Sequence, residues 1–185
     1  MQNSFATTAE RGNSVTDQRN RFVASWIWEP RPFHRERPGL ARVFDDWKLA
    51  GIVTVGSGRP INAKVLGDAN QDGNSDNDRL PAARRNSFTG PDYATTDLRL
   101  SRFFPIGDRW KLELLVESFN LLNRDNQHVD ITDDGFQNSA AQFVELTKKA
   151  NNQFFPAHFR SQSSFLHPTS AYAPRQVQVA VRIRF

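Results

Sequence analysis

Hydrophobic and polar residues alternate with period two in five stretches of this chain. In residues 21–28 the even positions carry Phe22, Ala24, Trp26 and Trp28, against Arg21, Val23, Ser25 and Ile27. In 47–55 the odd positions carry Trp47, Leu49, Gly51, Val53 and Val55, with Lys48, Ala50, Ile52 and Thr54 opposite. In 97–104 Leu98 and Leu100 oppose Arg99 and Ser101, and Arg102 interrupts the apolar side. In 109–119 Trp110, Leu112, Leu114 and Val116 share one side, and Lys111, Glu113 and Glu117 the other. The stretch 175–185 is the most regular, with Val177, Val179, Val181, Ile183 and Phe185 set against Gln176, Gln178, Ala180, Arg182 and Arg184. Successive side chains of a strand point to opposite faces, so each stretch predicts a two-faced β-strand.

The connections are unequal. Pro105-Ile106-Gly107-Asp108 predicts a short turn that pairs its two flanking strands as a hairpin. The link 29–46 holds three prolines, and 56–96 and 121–174 are long and polar. One short helix is expected at 139–149, with Phe143 and Leu146 apolar. Loops of that length are uncommon inside a compact soluble domain.

Alternation suits two architectures. In a soluble sandwich the apolar face meets a core; in an outer-membrane barrel it meets lipid, and the polar face lines a wet lumen. Three features favour the barrel. If the last strand runs toward the periplasm, both long links become extracellular and the 105–108 turn periplasmic, as such barrels arrange them; the link 29–46 also falls on the periplasmic side and is longer than typical there. Under that topology Trp26, Trp28, Trp47, Trp110 and Phe185 converge on one rim, as a girdle at the membrane interface requires. The clear strands also have the roughly 9–11 residues that cross a bilayer with a tilt.

Composition adjusts this picture rather than making it. The chain has 185 residues, no cysteine, a net charge of +4 and 38% hydrophobic residues. No apolar run approaches the roughly 18 residues of a membrane-spanning helix. Collagen and disulfide scaffolds are excluded, and 15 Phe with four Trp argue against full disorder. A low apolar fraction is what a barrel strand yields when every second residue faces water. The pI of about 9.8 invites a nucleic-acid partner. Its densest cations, Arg31, Arg35, Arg37, Arg84 and Arg85, sit beside Pro32, Pro38 and Pro81 without a recognition motif, so they predict solvated loops and no nucleic acid. Residues 1–16 lack the basic start and apolar stretch of a secretory signal.

An ordered set of motifs then carries a family resemblance. They are Asp17-Gln18-Arg19-Asn20-Arg21-Phe22, Trp47-Lys48-Leu49-Ala50-Gly51-Ile52 with Ser57-Gly58-Arg59-Pro60, Asp72-Gly73-Asn74 with Asp78-Arg79, and Arg85-Asn86-Ser87. Asp97-Leu98-Arg99-Leu100-Ser101-Arg102, Glu117-Ser118-Phe119-Asn120-Leu121-Leu122-Asn123-Arg124, Pro174-Arg175-Gln176 and Phe185 follow. Together they resemble the C-terminal part of a TonB-dependent outer-membrane receptor of the kind with a carboxypeptidase-regulatory-like N-terminal domain. The resemblance implies an all-β fold, an antiparallel transmembrane β-barrel segment with long extracellular loops. It implies about five C-terminal strands of a barrel of about 22. Residues 1–185 are then one piece of that barrel, with plug domain, TonB box and signal peptide expected to lie outside it.

The implied function is energy-coupled uptake of a scarce ligand across the bacterial outer membrane, with no enzymatic step. The implied partners are outer-membrane lipid, the barrel-assembly machinery, and a small-molecule, glycan or peptide ligand; the TonB complex would be reached only through the plug. Val179, Val181, Ile183 and Phe185 match the C-terminal assembly signal, except that Ile183 stands where many members have an aromatic residue. The alternatives are a soluble β-sandwich binding module, such as a calcium-dependent adhesin, and a complete eight-stranded barrel, which needs three more strands.

One metal site is expected. Asp68, Asn70 and Asp72 place oxygens at the alternate positions of the first half of a calcium loop, with Gly73 at its turn, and Asn74, Asp76 and Asp78 add further oxygens. Arg79 stands where the closing carboxylate belongs, and the other reading is an Asx-rich turn. No other cofactor is expected. His34, His128, His158 and His167 lack metal-ligand spacing, and Ser57 lacks the nucleophile-elbow pattern. Lys111, Glu113 and Glu117 are expected to be lumen residues rather than catalytic carboxylates.

Overall fold

In the computed structural model, the structure describes residues 7–30, 39, 44–65, 73, 78–80, 83–107, 109–131, 143–144, 160–161 and 165–185. The fold is all-β. Its strands are β1 (Arg21–Trp28), β2 (Trp47–Gly56), β3 (Pro60–Ile61), β4 (Phe88–Thr89), β5 (Tyr93–Ile106), β6 (Trp110–Phe119), β7 (Gln127–His128), β8 (Phe143–Val144), β9 (Arg160–Ser161), β10 (Ser170–Ala171) and β11 (Gln176–Arg184). A short 3-10 helix, Thr7–Glu10, precedes them.

The chain divides into two compact units. One comprises Arg21–Gly56, Tyr93–Asn126 and Ala173–Phe185 and holds a single antiparallel sheet in the order β1-β2-β5-β6-β11. The long strands therefore pair with their neighbours in the chain, each pair antiparallel. Arg21 pairs with Gly56 and Gly56 with Tyr93, so β1 starts, β2 ends and β5 starts at one end of the sheet. Phe119 pairs with Gln176 at that same end. Both long connections leave from it. At the other end Ile106 pairs with Trp110 across the β5–β6 turn.

Four of the expected strands match to within a residue. The third is longer than its apolar pattern: β5 begins at Tyr93, not residue 97, and runs to Ile106. Tyr93, Thr95 and Thr96 are aromatic or β-branched residues that fit a pleated surface, and they pair with Gly56, Thr54 and Val53. The turn is correspondingly tighter than 105–108. Pro105 and Ile106 are still in the strand, and the bend falls at Gly107, whose φ of +63° suits a residue without Cβ.

The other unit comprises Met1–Asn20, Ser57–Asp92 and Gln127–Tyr172. Its strands are two-residue pairs, β3–β4, β7–β10 and β8–β9. A small core of Ile61, Ala63, Val65 and Val129 is buried beside the polar Asn62, Asp78, Arg79 and Asn86. The Arg79 guanidinium donates to Glu10 Oε1 at 2.6 Å, and the Asn86 amide N–H donates to Asn62 Oδ1. Phe88 and Phe165 meet edge to face at 5.0 Å. The helix expected at 139–149 is corrected where it can be seen: Phe143 and Val144 pair as a strand with Ser161 and Arg160. An aromatic and a β-branched residue favour that pairing over a helix. The rest of that expected helix lies outside the described residues.

Candidate functional site

The five-stranded sheet has two unlike faces, and register assembles each from separate strands. Trp28 pairs with Leu49, Leu49 with Leu100, Leu100 with Val116 and Val116 with Val179. This is an unbroken apolar row across all five strands. Phe22, Val55, Leu114, Val177, Val181 and Ile183 extend the same face, and all are exposed. Fully burying such a side chain is worth roughly 1.5–3 kcal/mol. Left in water, a face this large would forgo burial free energy comparable to the roughly 5–15 kcal/mol by which a domain is stable. Inside the sheet the usual order is inverted: Ser101 and Glu113 are buried, and Leu115 is its buried apolar residue.

The residues expected to form the girdle all lie on this apolar face, at the end that carries the Gly107 turn. Trp110 and Phe185 meet with ring centroids 5.6 Å apart. Trp26 pairs with Gly51, and its indole occupies the space that a Cβ on Gly51 would enter. Trp28 ends β1, and Trp47 begins β2. Arg102, which breaks the apolar alternation, lies 5.0 Å from the Trp47 ring and 4.8 Å from that of Phe104. The aromatic faces thereby accept its charge. Val179, Val181 and Ile183 line the same face of β11, with Phe185 just beyond its end, and among the described residues β11 pairs with β6 alone.

The opposite face carries the charge. Glu113 is buried and its Oε2 receives Arg184 at 2.9 Å and Arg182 at 3.4 Å. Glu117 receives Arg99 at 3.3 Å, and Lys48 pairs with Glu29 at 2.9 Å. Lys111 is exposed and stands directly opposite Arg184. Apart from Glu117, these groups line a concavity of about 470 Å³ together with Asp46, Trp47, Ser101, Phe103 and Pro105. Four apolar residues of this face, Val23, Ile27, Ile52 and Phe119, are exposed too. Its polarity therefore resides mainly in β5, β6 and β11.

Beyond Phe119 the chain makes a turn held by three asparagines. Asn120 and Asn123 take left-handed φ values of +50° and +51°, which asparagine tolerates better than most residues. The Asn120 N–H donates to Asp97 Oδ1 at 2.9 Å, and its carboxamide donates to the carbonyls of Arg124 and Ala173. Asn123 Oδ1 accepts from the Arg175 N–H at 3.0 Å. Asn126 makes two bonds to the Ala94 backbone, at 2.8 and 2.9 Å. The spacing of three between these asparagines was the available signal.

The calcium-loop residues Asp68, Asn70, Asp72 and Asp76 lie outside the described residues, as do His34 and His158. Among the described residues no group of three or more acidic or histidine side chains could hold a metal ion. His128 meets Ser170 Oγ at 2.8 Å and Asp130 Oδ1 at 3.2 Å, both through Nε2. A hydrolytic triad sets its serine and carboxylate on different ring nitrogens. Here Ser170 also donates to Asp130 Oδ1, and Thr169 to Asp130 Oδ2. The cluster clasps β7 to β10. Hydrogen bonds from Thr169 and Ser170 hold the Asp130 carboxyl below its ordinary value, with His128 adding to the effect.

No curated protein and no solved structure matches the chain. A profile of the family described as outer membrane beta barrel domain matches residues 1–82 and 79–178. The sheet's exposed apolar face and charged opposite face are what that family places against lipid and lumen. The chain belongs to the outer membrane β-barrel domain family and is a protein of the bacterial outer membrane.

Proposed function

We propose that this chain is the C-terminal part of the barrel of a TonB-dependent receptor and serves energy-coupled uptake of a scarce ligand. The observation that carries the reading is the asymmetry of the connections. Ser57–Asp92 and Gln127–Tyr172 leave one end of the sheet, while the other carries a tight turn at Gly107 and the shorter link 29–46 between β1 and β2. A receptor needs large loops outside to catch its ligand and short turns in the periplasm. The motif order supports the specific family, and the asparagine-rich stretch after β6 is its most structured member.

In this reading Trp26, Trp28, Trp47, Trp110 and Phe185 form the aromatic band at the periplasmic rim. Val179, Val181, Ile183 and Phe185 address the barrel-assembly machinery. Five strands cannot close a barrel of about 22, so the remaining strands and the plug come from the rest of a longer polypeptide. A soluble β-sandwich is not favoured, since the five strands form one sheet whose apolar residues stay exposed.

The test uses the full-length product of the natural gene, extracted from outer membranes in detergent. It should bind the purified periplasmic domain of the energy-coupling protein. Ligand-limited growth that depends on the gene should also stop on adding a protonophore. Absence of binding, with growth indifferent to the protonophore, would overturn the uptake role.

A further inference from the structure

We propose that Arg102 is a headgroup site for an anionic phospholipid on the apolar face of the sheet, with Trp47 and Phe104 as its walls. The inference needs only the barrel of the family, and not the uptake role. It begins with register. Trp47 pairs with Arg102, Arg102 with Leu114 and Leu114 with Val181, so these four form one row across the apolar face. The next row toward the middle of the strands is Leu49, Leu100, Val116 and Val179. The next toward the Gly107 turn is Phe104, Leu112 and Ile183. Among the residues that the five strands place on this face, Arg102 is the only charged one.

A cation on a lipid-facing strand is costly at mid-membrane and much less so near the interface. Arg102 stands beside Trp47, at the end of the face where the aromatic residues gather. A long arginine side chain there reaches the headgroup level while its stem stays on apolar surface. Two rings hold the charged end: the guanidinium carbon lies 5.0 Å from the Trp47 ring and 4.8 Å from that of Phe104. Such contacts fix a cation through the charge distribution of the ring. A guanidinium fixed in this way presents a planar fork that matches two oxygens of a phosphate.

The occupant is a phospholipid because the surface next to the cation is apolar on the side of the membrane centre. Leu49 and Leu100 continue the face there, as an acyl chain below a phosphate requires, and Leu100 is exposed. The headgroup is anionic because the strands offer no carboxylate on this face to receive the ammonium of phosphatidylethanolamine. Phosphatidylglycerol brings an uncompensated phosphate charge to Arg102 and needs no such partner.

The experiment reconstitutes the full-length protein in nanodiscs that contain phosphatidylglycerol or phosphatidylethanolamine carrying a diazirine close to the glycerol. Crosslinked peptides are identified by mass spectrometry, and variants are compared at equal amounts of folded, heat-modifiable barrel. The stretch 98–106 should capture phosphatidylglycerol about tenfold more than phosphatidylethanolamine, the effect of one charge-assisted contact. Arg102→Gln should bring that ratio close to one. Lys111→Gln, on the opposite face, should leave it unchanged. If Arg102→Gln does not fold, competition in the unaltered protein decides: excess unlabelled phosphatidylglycerol should suppress the crosslink and excess phosphatidylethanolamine should not. Equal capture of the two lipids at 98–106, a ratio indifferent to Arg102→Gln, a ratio lost equally on Lys111→Gln, or equal suppression by both competitors would each overturn the proposal.

Discussion

The carboxamide of Asn126 makes both hydrogen bonds to the backbone of Ala94 that a neighbouring strand residue would make. Its Oδ1 accepts from the Ala94 N–H at 2.9 Å and its Nδ2 donates to the Ala94 carbonyl at 2.8 Å. The β5–β6 ladder ends at Leu98 and Ser118, four residues short of Ala94. Leu121 N–H to the Thr96 carbonyl fills the step between. The turn after β6 thus extends the sheet with side chains where the strand has stopped. Asn126→Ala should leave a backbone donor and acceptor of β5 unpaired, at about 1–3 kcal/mol. The heat-induced mobility transition of the full-length barrel should fall accordingly. Leu122→Ser, at an exposed position of the same turn, should not move it.

The two faces make opposite demands on a charge. Val181 lies on the apolar face opposite Leu114, and Ala180 on the charged face opposite Leu115. A lysine facing lipid near mid-membrane costs about 2–4 kcal/mol. Val181→Lys should therefore reduce insertion into the outer membrane, measured as heat-modifiable protein in the detergent-extracted fraction, and Ala180→Lys should not. Equal insertion of both variants would contradict the assignment of faces.

Gly51 is glycine because Trp26 occupies its side-chain space. A Cβ there would sit 2.7 Å from the indole carbons, closer than packed atoms tolerate. A glycine inside a strand often marks such an approach. Gly51→Ala should push the Trp26 ring off the strand, seen as a shift in emission when compared with the same substitution in a Trp26→Phe background. An unchanged spectrum would place the ring elsewhere.

Asp130 links the clasp between β7 and β10 to pH. Its carboxyl titrates below the ordinary 3.8 because Thr169 and Ser170 donate to the ionised form, with His128 assisting. A depressed value means that the ionised form favours the folded clasp. The contribution is present above about 3.8 and is lost as pH falls through the lower folded value. Amide exchange at Asp130 and Thr169, which bond to Thr169 Oγ1 and the His128 carbonyl, should accelerate only in that acid range. Asp130→Asn should remove the dependence.

Much of the fold was legible in the chain. Period-two alternation located the five long strands and assigned the face of each side chain, because adjacent residues of a strand must point oppositely. It understated β5, whose first residues are β-formers without an apolar pattern. It also suggested a helix where Phe143 and Val144 pair as a strand, since a few apolar residues at helical spacing do not specify a partner. The placement of Trp26, Trp28, Trp47, Trp110 and Phe185 on the apolar side was legible for the same reason as the strands.

Alternation is a local property, so the sequence by itself determined which residues share a face, which faces repel water and where the chain turns. Partners are not local. That Trp26 lies over Gly51, that Glu113 is shared by Arg182 and Arg184, and that Asn126 completes the edge of β5 all follow from register between strands far apart in the chain. Register is settled only when every strand's apolar side must join one continuous surface, because a slip of one residue would turn a strand's whole apolar set to the wrong face.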